Sequence, residues 1–392
     1  MRKSFLALAV LGLFAGVAHA QSSVTLYGVL DEGLNYNSNA GGHRLYSLTS
    51  GGLQASRWGL RGAEDLGGGT KAIFVLENGF DVSTGKLGQG GLMFGRQAYV
   101  GLSSGFGTVT LGRQYDSVVD YVGILATGDQ WASSMGAHPG DLDNLNNSYR
   151  TNNTIKYASA NYAGLTFGGT YSLGGVAGDV TSNQIWSLGA SYANGPLTLA
   201  VGYLNARTPG ANSGSMFGNN TSSTTASTVT TPVYSGFVSA NTYQVIAAGG
   251  AYTLGAATFG ATYSNVKFMN LGAVASLNTK GYTGTATFND VEINFKYQLT
   301  PALLAGAAFN YTKGSDVSEA GGASNPGAKY LQGALGVDYF LSKRTDVYVV
   351  GIYQKASGTD STGKSAVAAI NTQSASSSDR QAFVRVGIRE KF

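Results

Sequence analysis

The sequence of 392 residues contains no cysteine, only six prolines and few charged residues. Without cysteine the chain can form neither a disulfide framework nor a thiolate metal site. Charged residues make up 12% of the chain, against about a quarter in a typical soluble domain. The 25 Lys and Arg exceed the 21 Asp and Glu by four, which gives no dense basic patch of the kind that binds nucleic acid. We therefore expect no nucleic-acid partner.

After its first twenty residues the sequence also lacks a long hydrophobic run. No stretch reaches the roughly 18 apolar residues of a transmembrane helix. Helical patterns are scarce, because the 58 glycines recur inside the periodic segments and each costs a helix about 1 kcal/mol relative to alanine. A membrane-crossing strand exposes apolar residues to lipid only at alternate positions. Its mean hydropathy therefore lies near zero, as does the value of −0.01 for this chain.

The first twenty residues have the pattern of a secretory signal peptide. Arg2 and Lys3 precede an apolar run over residues 5–17, and Ala18-His19-Ala20 forms an A-x-A cleavage site. An N-terminal membrane anchor is the alternative, but the run is short for a span and the cleavage site follows it directly. The sequence therefore predicts a signal peptide over residues 1–20 and a single domain over residues 21–392.

Period-two alternation runs through the rest of the chain. In 291–297 the odd positions are apolar and the even ones polar. Residues 331–339 alternate with the odd positions apolar, and residues 384–392 alternate with the even positions mostly apolar. Such segments indicate strands with one apolar and one polar face. Seven short turns alternate with eight long polar loops, so fifteen connections join sixteen predicted strands. The long loops are predicted near residues 37–50, 82–91, 116–149, 174–181, 207–240, 268–285, 314–327 and 356–378.

These strands favour one architecture. A β-sandwich would have no reason to place every long loop at one end. A sheet in a bilayer must close on itself, because unpaired backbone groups at an open edge cost several kcal/mol each in hydrocarbon. With about sixteen strands the interior is too wide for side chains to fill and holds water. The sequence thus predicts an all-β fold, a 16-stranded antiparallel transmembrane β-barrel.

Five stretches carry a family resemblance. Residues 24–34, 56–80, 96–116, 152–174 and 384–392 resemble the general porins of Gram-negative outer membranes, in the beta-proteobacterial branch. The resemblance implies an outer-membrane homotrimer in contact with lipids and lipopolysaccharide. Each barrel would have its own pore, narrowed by an inward-folded third loop. The terminal Phe392 resembles the signal by which the barrel assembly machinery recognises such chains. No cofactor is expected.

The third long loop, residues 116–149, supports that expectation. It contains an apolar set that a loop in solvent would not need: Val118, Val119, Tyr121, Val122, Ile124 and Leu125. These side chains predict that the loop packs against the barrel wall. The Pro-Glu-Phe-Gly tip of the better-known general porins is missing, so the resemblance does not specify the path of the loop.

Strand phase and the resemblance together suggest a pore constriction. Related porins carry an arginine ladder on the wall facing the third loop, and Arg57, Arg96 and Arg150 match those positions. Arg61 shares the face of Arg57, and Lys156 shares the face of Arg150. Glu77 is a candidate partner of the ladder, and Asp116 and Asp120 are the candidate acids on the loop. The predicted constriction residues are Arg57, Arg61, Arg96, Arg150, Lys156, Glu77, Asp116 and Asp120.

The expected function is passive, weakly ion-selective diffusion of small hydrophilic solutes and ions, with a slight preference for anions. A substrate-specific channel usually has eighteen strands. An outer-membrane hydrolase would need a histidine beside a serine on the strands. Beyond the predicted signal peptide the only histidines, His43 and His138, lie in predicted loops, so we expect no catalytic residues. The Asp141-Leu142-Asp143-Asn144 stretch lacks the glycine and glutamate of a calcium loop and is predicted to be solvated, with no metal site.

Overall fold

The computed structural model describes residues 22–208, 216 and 229–392. The predicted signal peptide, residues 1–20, lies outside the described residues. Sixteen barrel strands follow in chain order: β1 Ser23–Ala40, β2 in two segments His43–Ser50 and Arg57–Gly67, β3 Thr70–Gly79, β4 Gln97–Ser104, β5 Gly107–Gln114, β6 Thr151–Ser159, β7 Leu165–Ser172, β8 Ile185–Asn194, β9 Leu197–Arg207, β10 Thr242–Leu254, β11 Ala257–Met269, β12 Thr285–Thr300, β13 Leu303–Gly314, β14 Ala328–Phe340, β15 Thr345–Gly358 and β16 Arg380–Lys391.

Each strand pairs in antiparallel register with its neighbours in the chain, and the last strand closes on the first. The closing ladder runs from Val29 opposite Lys391 to Asn37 opposite Phe383. The prediction of a closed 16-stranded barrel is confirmed. Within the described part of the chain, no helix is long and apolar enough to cross a membrane.

The predicted loop at residues 37–50 is wrong. These residues are strand, and β1 and β2 meet in a tight hairpin at Gly41 and Gly42, with φ of 61° and 109°. Left-handed backbone of this kind favours glycine. The chain leaves the wall further on, at residues 51–56, between the two segments of β2. We call residues 51–56 the inner strap, because they lie inside the barrel wall.

The predicted alternation places apolar residues outside and polar residues inside. On β16 Val384, Val386 and Ile388 are exposed on the outer face, whereas Arg385 and Arg389 are buried on the inner face. Tyr27, near one end of β1, points inward, where its hydroxyl donates to Glu77. The outer surface is therefore apolar and the inner surface polar, as a barrel in a bilayer requires.

The other long connections lie at one end, and loop 3 (residues 115–150) folds into the barrel as predicted. Loop 3 contains one short π-helix, Val118–Val122, and 3₁₀ turns at Gly123–Leu125, Thr127–Asp129, Ser134–Gly136 and Pro139–Asp141. Further 3₁₀ turns lie at Ser235–Phe237 and Ala275–Leu277, and a small sheet of Tyr282–Thr283, Val317–Glu319 and Ser324–Asn325 links two of the outer loops.

Candidate pore constriction

An open cavity of about 610 Å³ lies between loop 3, the inner strap and the inner face of β2 to β6. Its charged lining residues are Arg57, Glu77 and Arg96 on the barrel side and Asp120, Asp129 and Arg150 on loop 3. The structure thus brings together five of the residues that the sequence singled out, from the barrel wall and both ends of loop 3.

Glu77 on β3 is the centre of the charged wall. Its carboxylate lies 2.7 Å from Arg96 Nε and 3.5 Å from Arg57 Nε. It also accepts hydrogen bonds from the hydroxyls of Tyr27 at 3.0 Å and Tyr115 at 3.1 Å. Glu77 is almost fully buried and Arg57 remains partly exposed to the cavity. The single negative charge of Glu77 therefore holds Arg57 and Arg96 side by side but cannot neutralise both of their positive charges.

Arg96 reaches the lumen because it precedes β4. Had it belonged to the strand, the alternation that turns Val100 and Leu102 outward would also turn Arg96 outward. Arg96 Nη2 instead donates to the Tyr115 hydroxyl at 2.9 Å. Arg150, at the other end of loop 3, lies with its guanidinium carbon 5.6 Å from the centre of the same ring. Tyr115 therefore separates two arginines that would otherwise repel each other at close range.

Three of the predicted residues do not line this cavity. Asp116 is fully buried and accepts hydrogen bonds from the backbone N–H of Val118 and Val119 and from Asn144 Nδ2. Burial and the nearby charge of Asp120 raise the pKa of Asp116 to about 6. Asp116 therefore holds the start of loop 3 in shape, and the expectation that it faces the arginines across the lumen does not fit its position.

Lys156 and Arg61 face the lumen away from the cavity. Lys156 forms an ion pair with Asp120 and donates to the backbone carbonyl of Tyr115 at 3.2 Å. Arg61 lies nearer the short-turn end, 5.4 Å from the ring centre of Tyr27. Lys156 thus compensates one of the two loop 3 acids that line the cavity. Arg61 extends the row of positive charges from Arg57 toward the short-turn end of the barrel.

Sequence reasoning missed Asp129 and the inner strap. Asp129 lies on loop 3, lines the cavity and is open to lumen water. Protein on both sides partly desolvates its carboxylate and raises its pKa to about 6, although the positive charge of Arg57 opposes the shift. The inner strap contributes all of residues 51–55 to the lining. Asp129 could have been found as the one further acid between the π-helix and Trp131, whereas nothing in the strap sequence distinguishes it from an outer loop.

Loop 3 is anchored on the opposite wall by a buried ionic cluster around His138. His138 Nδ1 lies 2.7 Å from Asp143 Oδ2 and 3.2 Å from Asp290 Oδ1, and Nε2 lies 3.3 Å from Glu292 Oε2. All four side chains are buried. Burial alone would lower the pKa of His138, but the carboxylates of Asp290 and Asp143 hold it well above 6.5. The imidazolium therefore joins loop 3 to β12.

This cluster corrects the prediction of a solvated loop around residues 141–144. Asp141 is fully buried and accepts from the backbone N–H of Asn146 and Ser148, and Asp143 accepts from Ser264 Oγ on β11 at 2.6 Å. His138, Asp143 and Asp290 are also residue types that can ligate a metal. A tetrahedral zinc site, however, separates its ligand atoms by roughly 3.3 Å. The 2.7 Å contact of His138 with Asp143 instead fits a direct hydrogen bond.

Inward-facing glycines receive the apolar side chains of loop 3. A Cβ atom added at Gly189 would lie 2.3 Å from Tyr121 Cδ2, and one at Gly306 would lie 2.3 Å from Trp131 Cε2. A Cβ atom added at Gly336 would lie 2.7 Å from Cε3 of the same indole. These glycines lie on β8, β13 and β14, so the loop lies across many strands in close contact with their backbone. The predicted packing of loop 3 on the wall is confirmed.

Comparison with known proteins identifies the family. A family model described as Gram-negative porin matches residues 7–359. An outer membrane porin protein of Bordetella pertussis is 36% identical over 230 residues, 52% of this chain and 59% of that protein. The outer membrane porin protein 32 of Delftia acidovorans is 37% identical over 223 residues, 53% of this chain and 61% of that protein. The matched part of the chain thus spans about three-fifths of the length of these curated relatives.

Solved structures share the fold. An anion-selective porin from Comamonas acidovorans matches with a TM-score of 0.70 at 23% identity, covering 95% of this chain and all of that one. The trimer form of OmpT from Vibrio cholerae matches with a TM-score of 0.65 at 17% identity, covering 95% of this chain and 99% of that one. The predicted resemblance is confirmed over most of the sequence: the chain belongs to the Gram-negative porin family and is an outer-membrane β-barrel protein.

Proposed function

We propose that the chain is a passive diffusion channel for small hydrophilic solutes and ions, with a slight preference for anions. The observation that carries the proposal is the charge of the cavity lining. The lining contains Arg57, Arg96 and Arg150 together with the acids Glu77, Asp120 and Asp129, and Lys156 compensates Asp120. One net positive charge therefore remains in the cavity between loop 3 and the barrel wall. Charges placed on opposite sides of a narrow, low-dielectric passage also produce a strong transverse field.

Ion preference in a pore follows the sign of its lining charges, and size exclusion follows its radius. Polar solutes can align with the transverse field, whereas apolar solutes must disrupt ordered water. The neighbouring structure described as anion-selective supports the sign of the preference. The trimer form of OmpT supports a homotrimer. The apolar outer surface of the barrel supports contact with outer-membrane lipids and lipopolysaccharide. Phe392 would serve as the assembly signal; its backbone pairs with Gly28 at the short-turn end of the barrel.

The hydrolase alternative has no support in the geometry of His138. Three carboxylates surround its imidazole, so neither ring nitrogen is free to activate a serine. No observation favours a substrate-specific channel over general diffusion, and the sixteen strands agree with the general porins.

The test is the reversal potential of the channel in a planar bilayer under a KCl gradient. We expect Arg57→Ala combined with Arg150→Ala to shift the reversal potential toward that of a cation-preferring channel, because two of the three cavity arginines are lost. Arg44→Ala combined with Arg344→Ala is the matched control, since both side chains are exposed and neither lines the cavity: Arg44 lies at the start of β2 and Arg344 on the turn between β14 and β15. An unchanged reversal potential in the cavity variant would show that these arginines do not set ion preference.

A further inference from the structure

The inner strap interrupts the second barrel strand in an unusual way. Ser50 pairs with Glu32 on β1, and Arg57 pairs with Val29. Six residues, 51–56, therefore stand opposite only two on β1, Leu30 and Asp31, an excess of 6 − 2 = 4. A common β-bulge adds a single residue. Because the excess is even, the inward and outward phases of β2 are the same on both sides of the strap.

A buried carboxylate holds the inner strap in place. Asp31 Oδ1 accepts the backbone N–H of Gly52 and Oδ2 accepts that of Gln54, both at 3.0 Å. The backbone carbonyl of Asp31 accepts the N–H of Gly51 at 2.7 Å. Asp31 itself is fully buried, so these bonds form without competition from water and replace the ladder bonds that the strap lacks.

The charge of Asp31 is balanced by a fully buried arginine on β16. Arg385 Nη2 lies 3.1 Å from Asp31 Oδ1, and its Nε donates to the Tyr348 hydroxyl, which in turn donates to Asp31. Arg385 Nη1 binds Asn35 and Thr49. A buried ion pair costs desolvation energy and is a weak source of stability in general. In this barrel the ion pair of Asp31 and Arg385 acts by fixing the position of the Asp31 carboxylate, which in turn fixes the geometry of the inner strap.

The inner strap meets both halves of the constriction. Its Gly52 carbonyl accepts the backbone N–H of Ser134 in loop 3 at 3.1 Å, and Leu53 is buried against Trp131 and Met135 of the same loop. On the other side, the Ala55 carbonyl accepts Arg57 Nη1 at 3.0 Å. The strap therefore touches loop 3 and orients one cavity arginine.

We propose that the inner strap is a second constriction element, which limits the width of the pore from the wall side and positions Arg57. The proposal rests on the channel function proposed above, but its test measures pore width, whereas the test of the charged residues measures ion preference. Asp31 and Arg385 are positioning residues of this element, because they act through the strap and do not reach the cavity.

The test is deletion of residues 52–55 in the full-length chain. Removing four residues lets Gly51 pair opposite Asp31 and Ser56 opposite Leu30, so β2 can run straight without a change of phase. We expect single-channel conductance to rise about two-fold and the largest excluded polyethylene glycol to increase in size, since a wider pore conducts more and admits larger solutes. The matched control deletes residues 177–180, which are exposed in the loop between β7 and β8.

Leu53→Ala is measured beside the deletion, because it leaves the backbone complete and tests the strap even where the deletion does not assemble. Increased conductance and a larger exclusion size in either variant support the proposal, and unchanged values in the assembled variants overturn it. Ion preference is read separately from the reversal potential of Arg57→Ala with Arg150→Ala. If the strap variants widen the pore but the double arginine variant leaves the reversal potential unchanged, only the charge proposal is overturned. If the double variant shifts the reversal potential but the strap variants leave the pore width unchanged, only the strap proposal is overturned.

Discussion

Inward-facing charged side chains have different surroundings on the two sides of the lumen. On β2 to β6 the charged side chains meet an open cavity, and Arg57 and Arg150 are not fully neutralised. On β12 Asp290 and Glu292 occupy equivalent inward positions, yet both are buried under loop 3 and paired with His138. Alternation along a strand decides which side chains point into the barrel. The path of loop 3 decides which of them remain in water, and only those can act on a passing ion.

The largest effect is expected at β12, where the inward-facing charged side chains are buried under loop 3. His138→Ala would leave Asp143, Asp290 and Glu292 without their cation, and breaking a buried ion pair of this kind costs about 3–5 kcal/mol. We expect faster proteolysis and faster hydrogen exchange in loop 3, together with noisier channel currents. His43→Ala on the exposed β1–β2 hairpin is the control. Equal exchange rates in the two variants would show that the cluster does not anchor the loop.

Alkaline pH should weaken the same anchor. The folded pKa of His138 is raised well above 6.5 by Asp290 and Asp143, against the effect of burial. A raised histidine pKa contributes stability that is complete below the unfolded value and is lost as the pH rises through the folded value. Protection of loop 3 from hydrogen exchange, corrected for intrinsic rates, should fall above neutral pH. His138→Ala should show no such fall, and a parallel fall in that variant would contradict the assignment.

The contact of loop 3 with the barrel wall also predicts that alanine substitution has different effects on stability at two glycines. Gly306→Ala would place a methyl group 2.3 Å from the Trp131 ring, and such overpacking typically costs about 1–3 kcal/mol. Gly351→Ala on β15 is the control, because nothing lies within 4 Å of its added Cβ. We expect a lower thermal unfolding temperature and altered conductance in the first variant only. Equal behaviour of the two would mean that loop 3 does not press on the wall at Trp131.

On the open side, the pH should change ion preference. Burial between the walls raises the pKa of Asp129 to about 6, so lowering the pH from 7 to 5 removes a negative charge from the cavity. The reversal potential should therefore move toward stronger anion preference. Asp129→Asn should already show that preference at pH 7 and respond less to acid. A response of the variant equal to that of the unchanged chain would exclude Asp129 as the titrating group.

The smallest effect is expected at the root of loop 3. Lys156 pairs with Asp120, and both side chains are partly exposed to water in the lumen. Pairs in such surroundings contribute about 1 kcal/mol or less. Lys156→Gln should leave the unfolding temperature almost unchanged while it shifts the reversal potential slightly toward cations. A strong loss of stability would show that this pair anchors the loop as firmly as His138 does.

Much of the barrel could be predicted from the sequence, because period-two alternation is a local property. The alternation of residues 291–297 and 384–392 follows directly from which face meets lipid. The loop predicted at 37–50 is wrong, because Asn and Gly residues near 37–42 have loop-like composition although only Gly41 and Gly42 form the turn. The strand resumes directly after that turn, where composition alone suggests that the loop continues.

The site was harder to predict, since its contacts join distant parts of the chain. Arg57 and Arg150 were found by resemblance and strand phase and Arg96 by resemblance alone, and the structure places all three at one cavity. Asp116 was assigned to the lumen as one of the acids on the third loop, but the groups that bind it, the backbone N–H of Val118 and Val119 and the side chain of Asn144, lie within loop 3 itself. The partners that bury Asp141, Asp143 and His138 lie partly on β11 and β12, and no local pattern connects them.

The ladder between β1 and β16 has a consequence for how the chain reaches its final state. Val29 meets Lys391 and the Phe392 backbone meets Gly28, so the first and last strands complete each other. Contacts between residues so far apart in sequence carry a large loop-closure cost and make folding slow. A partial barrel would retain two unpaired edges, open to pairing with other chains. We therefore expect insertion to be cooperative, with a carrier shielding the unfinished sheet until both ends have arrived.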